Sequence, residues 1–167
     1  MEKIRSTITT AVSRIVENAP AKSLFFCPCE DFEGLATEVR SNSPHFGLFI
    51  AADASKVSNE RVRAVANVLI GRGLAWLCTW GPDCEKVHDD FDSAAVLADP
   101  ECKRGVIMTT WHDDEPLSEA IWFFVSAAFP DKSYEKTCLE WIVAGVGTDQ
   151  WNENVRTETI KVASQEN

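Results

Sequence analysis

The chain has 167 residues, a net charge of -10 and an isoelectric point near 4.7. That length suits one domain with a core of its own. The charge argues against nucleic acid and anionic membrane surfaces, which are held by clustered Lys and Arg. A basic protein partner, a cationic ligand or a metal stays open.

In residues 1–19, Ile4, Ile8, Ala11, Val12, Ile15 and Val16 follow helical spacing, which predicts an N-terminal amphipathic helix. Charges run through this segment, so it does not read as a signal peptide. The expectation is a cytoplasmic protein in a reducing compartment, with its six cysteines as free thiols.

Five apolar runs then read as strands: 23–27, 46–52, 74–80, 105–111 and 140–146. None alternates cleanly between polar and apolar, which suits strands covered on both faces of a parallel sheet. Helical stretches lie between and after them. The first follows at 31–41, and Ser58 caps the second at 58–73. Three more follow at 82–98, 116–129 and 149–163. This alternation predicts a single α/β domain over 1–167. Its expected form is a three-layer α/β/α sandwich with a mostly parallel five-stranded sheet, flavodoxin-like or Rossmann-like in outline. The core spans 20–150, and 151–167 supplies a C-terminal helix and tail.

In open α/β sheets ligands bind beyond the carboxyl ends of the strands. That rule gathers Asp31, Asp53, Trp80, Asp83, Glu85, Trp111, His112, Asp113, Glu115 and Trp151 on one acidic, tryptophan-lined rim. The same residue types also suit helix starts. Pro82 and Pro116 fit first helical positions, and acids there favour the positive end of a helix.

The densest stretch is "WGPDCEKVHDDF", 80–91. At helical spacing Cys84, Val87, His88 and Phe91 form a stripe facing the sheet, while Lys86, Asp89 and Asp90 point toward solvent. Cys84 and His88 then read as partly buried structural residues. Two chemistries compete with that reading. As a catalytic carboxylate after a strand-end glycine, Glu85 suits attack at an anomeric carbon, with His88 and His112 as helpers. As a metal site, Cys84 and His88 share a helix face, with His112 as third ligand, although the spacing matches no standard zinc motif. No cofactor is expected, since the phosphate-cradling glycine motifs are absent. The helix over 116–129 is apolar almost all round, which implies burial on both sides. Either a homodimer or the N-terminal helix would cover its outer side.

The strings "WGPDCEKVHD" and "TTWHDDEPLSEAIWFF" resemble a family of small, uncharacterised bacterial proteins carrying a domain of unknown function. The resemblance implies a bacterial-type cytosolic single domain and no mechanism. The functional expectation is a binding or regulatory module of toxin-neutralising or defence-associated type. It would engage a protein partner, not nucleic acid or membrane, through the rim. The alternative is a nucleoside- or nucleotide-directed hydrolase or glycosyl-transfer enzyme using Glu85.

Overall fold

The computed structural model describes residues 1–8, 22–101 and 103–165. Six strands form one sheet: β1 (Glu2–Ile8), β2 (Lys22–Cys29), β3 (His45–Ala52), β4 (Leu74–Trp80), β5 (Met108–His112) and β6 (Cys138–Val146). Their spatial order is β1-β2-β6-β3-β4-β5. The five strands expected from apolar runs are parallel, and β1 joins β2 antiparallel.

The helices are α1 (Gly34–Glu38), α2 (Asn59–Gly71), α3 (Cys84–Ala98), α4 (Leu117–Trp122) and α5 (Asp149–Gln165). Two apolar clusters sit on opposite faces of the sheet. One joins Leu35, Val62, Leu69, Val87 and Phe91 of α1 to α3 with Leu48 and Ile142. The other joins Ile121, Phe124, Val155 and Val162 with Phe49, Trp141 and Val143. The fold is therefore a three-layer α/β/α sandwich.

Crossover handedness explains the topology. From β2 through β5 the chain advances across the sheet, so right-handed connections keep α1, α2 and α3 on one face. The return from β5 to β6 runs the other way, which puts α4 on the opposite face. The last strand, β6, then slots between β2 and β3.

The N-terminal helix expected over 1–19 is not found where the chain is described: residues 2–8 form β1. A spacing of four residues suits one face of a regular strand as well as one face of a helix, so that spacing did not discriminate. Residues 9–21 of that expected helix lie outside the described residues. The apolar segment at 116–129 forms α4 and then a π-helical turn, Phe123–Ala127. Two of its apolar sides face the sheet and α5. The strand expected at 105–111 starts later, because Gly105 turns at φ +101°.

Asp90, expected in solvent, is buried. It accepts from Arg63 Nε (2.7 Å) and Asn59 Nδ2 (2.8 Å). The reason is that α3 packs against α2 as well as the sheet, so its buried stripe is broader than one neighbour would make it. No described helix is long and apolar enough to cross a membrane. Cys27, Cys29, Cys78, Cys84 and Cys138 are free and buried.

Candidate functional site

The carboxyl ends of β2, β6, β3, β4 and β5 lie along one edge of the molecule, and short contacts join them. Gly147 N donates to Cys29 O (3.0 Å) and Ala54 N to Pro82 O (2.9 Å). At the end of β4, Gly81 adopts φ +109°, and a Cβ there would lie 2.3 Å from Ala52 O. Only glycine brings β4 this close to the end of β3. Asp83 follows in the left-handed region at φ 59°, and α3 starts at Cys84. Lys86 Nζ reaches Ala54 O (2.6 Å) and Asp83 (3.4 Å), stitching the turn to the β3 loop. This part of the dense stretch is a strand-to-helix turn held from both sides.

The expected tryptophan rim divides. Trp80 Nε1 donates to Glu115 O (2.8 Å) and Trp151 Nε1 to Ala51 O (3.0 Å), with ring centroids 5.8 Å apart. These half-buried indoles close over the ends of β3 and β4. Trp111 remains 44% exposed and leans on His88 at 4.6 Å between centroids.

The rim carboxylates divide in the same way. Asp31 Oδ1 accepts from Gly34 N (2.8 Å). Asp53 accepts from Ser55 N (3.0 Å) and Ser55 Oγ (2.5 Å), which hold its carboxyl below the usual range. Glu115 receives His112 Nδ1 at 3.0 Å. Glu85, Asp113 and Asp114 are exposed.

An acidic crevice of about 620 Å³ remains between the ends of β2 and β6, lined by Cys29, Glu30, Asp31, Glu38, Asp149 and Asn152. Here the chain leaves β2 toward α1 and β6 toward α5, on opposite faces, as a switch point requires. Asn152 Nδ2 clamps Cys29 O (3.1 Å) and Gly147 O (3.2 Å). A second cavity, about 530 Å³, lies at the foot of the sheet, with Leu74, Val96, Ile107 and Tyr134 in its wall. Glu85 lines neither cavity.

The candidate ligands Cys84, His88 and His112 do not converge. His88 Nε2 meets Thr109 Oγ1 (3.0 Å) on the α3 face, and its Nδ1 meets Asp89 (3.0 Å). His112 points to the other face, stacked on Phe123 at 4.9 Å. The pleat of β5 separates them, since successive side chains take opposite faces. Among the described residues no group of three His, Cys, Asp or Glu is arranged to hold a metal.

Sequence reasoning missed Cys78. Its Sγ lies 3.0 Å from Thr110 Oγ1 and 3.8 Å from His112 Nε2, so carboxylate, imidazole and thiol run in order from Glu115 through His112 to Cys78. Cys78 is fully buried and His112 is 7% exposed. Burial pushes the thiol up to about 12, so it stays protonated and unreactive in this state. Nothing in the apolar run "LAWLCTW" marks Cys78 beforehand.

Residues 28–162 match the family described as Domain of unknown function (DUF7684). No curated protein and no solved structure matches the chain.

Proposed function

This chain belongs to the DUF7684 family, and we propose that it is a binding module that engages a basic protein partner at the acidic carboxyl edge of its sheet. The observation that carries the reading is the exposure of Asp83, Glu85, Asp113 and Asp114 beside the exposed indole of Trp111. Surface acids steer and select a basic partner, and an accessible tryptophan supplies contact area. Neutralisation of a basic toxin or defence component is the instance that fits best with a net charge of -10. The nucleoside-directed alternative requires Glu85 to face a cavity, and it stands in solvent instead.

The test compares the tagged chain with a variant carrying Asp83→Asn, Glu85→Gln, Asp113→Asn and Asp114→Asn. The unmodified chain should retain a basic protein from the native host. The variant should lose it, and so should the unmodified chain as salt rises. Equal retention by both chains overturns the reading. So does a nucleoside turnover that vanishes with Glu85→Gln in folded protein.

A further inference from the structure

The two edges of the sheet are finished differently. Strand β1 carries Glu2, Lys3 and Arg5, and its pairing with β2 slips twice, between Lys3 and Arg5 and again before Ile8. Charges and bulges of this kind are how edges are kept from pairing with other chains. Strand β5, "MTTWH", carries no Asp, Glu, Lys, Arg or Pro, and it pairs with β4 in unbroken register from Met108 to His112. Met108 and Trp111 are exposed along it.

The backbone of β5 offers bonding groups outward. Thr79 Oγ1 donates to Thr110 O (3.3 Å), so that carbonyl faces β4. Successive residues alternate, so Thr109 and Trp111 turn their N–H and C=O groups away from the sheet. No further strand of the described residues lies beyond β5.

The surroundings give this edge a direction. At its rim end stand the exposed Asp113 and Asp114, with Asp92 halfway along, 3.5 Å from Thr109 Oγ1. At its foot, Val106 and Ile107 lead directly into the 530 Å³ cavity.

We infer that the basic partner docks by adding an extended strand to β5, with Lys or Arg side chains at the rim end and an apolar side chain in the foot cavity. Main-chain pairing would supply affinity and the two ends would supply specificity, as in other strand-addition complexes. The inference rests on the binding reading above and specifies its mode.

The probe is a synthetic extended peptide of alternating valine and threonine, ending in leucine on one side and arginines on the other, made in both chain directions. Hydrogen exchange of the full chain should slow at least about tenfold over 106–112 when the peptide binds, and not at β1. Thr109→Pro, which removes an outward N–H, should weaken binding at least about tenfold while the thermal transition persists. If that variant fails to fold, the exchange map of the unmodified chain decides alone. Binding that depends on the rim acids but protects only 30–34 or 113–116 overturns strand addition and leaves the binding reading standing. Protection of β5 that grows with protein concentration in the absence of peptide assigns the edge to a second copy and overturns the inference. If neither the peptide nor any basic host protein binds, both readings fall.

Discussion

At the carboxyl end of the sheet, two indoles fold over the strand ends and donate to Ala51 O and Glu115 O, while Asn152 clamps Cys29 O and Gly147 O. At the foot of β3 and β4, by contrast, a cavity of about 530 Å³ stays open, and the nearby Lys22 amine is buried beside the rings of Phe129 and Trp141 with no hydrogen-bond partner among the described residues. The same strands make both ends. Strand polarity says where a crevice forms, but side-chain volume decides whether it is filled. The ends of β3 and β4 are filled from within, which leaves the acidic crevice between β2 and β6, the outer acids and the β5 edge as the surfaces a partner can reach.

Substitutions at the two ends test that contrast. The largest effect belongs to Gly81→Ala, which combines a left-handed backbone with a clash against Ala52 O. Urea unfolding should show a loss of about 3–5 kcal/mol. Gly73→Ala meets the mirror situation at the foot, with φ +100° and a Cβ 2.1 Å from Pro44 O. A much smaller loss there would show the foot to be the softer end. Next comes Trp151→Ala, which opens the plug and removes the indole hydrogen bond to Ala51 O. A loss of about 2–3 kcal/mol is expected, and a value near zero would mean that the indole closes nothing.

The third test uses pH. Burial lowers the Lys22 amine from 10.5 to about 8. Below pH 8 both folded and unfolded chains hold the proton, so the folded state bears the whole penalty. Between about 8 and 10.5 the unfolded chain binds a proton that the folded one lacks, and this group then raises stability with pH. Lys22→Met should therefore stabilise the protein by about 1–2 kcal/mol at pH 7. That advantage should shrink toward pH 10. A constant gap across this range would put the amine in water. The smallest effect is Val96→Ala on the wall of the foot cavity. Val96 is 59% exposed, so the change should stay within about 0.5 kcal/mol by thermal unfolding.

The parallel strands were legible because apolar runs such as "FGLFIAA" and "LAWLCTW" are covered on both faces, which leaves no polar alternation. The grouping of rim residues was legible too, since strand polarity alone brings Asp53, Asp83 and Asp113 to one edge. Strand β1 was not, because Ile4 and Ile8 suit either element. Nor was Asp90, whose burial depends on α2 lying beside α3. The Cys78–His112–Glu115 sequence of contacts was invisible, because Cys78 lies unmarked in an apolar run and reaches His112 only through the pairing of β4 with β5.

The amino-acid sequence by itself determined the alternation of strand and helix, the parallel sheet and the acidity of one end. These follow from hydrophobic periodicity and from the types of residue that end strands and start helices, both local properties. The tertiary structure alone decided that β6 inserts between β2 and β3, that Trp80 and Trp151 cover the strand ends, and that β5 is left as a bare edge. Each of these depends on which distant surfaces meet and how much volume they bring, and no window of neighbouring residues carries that information.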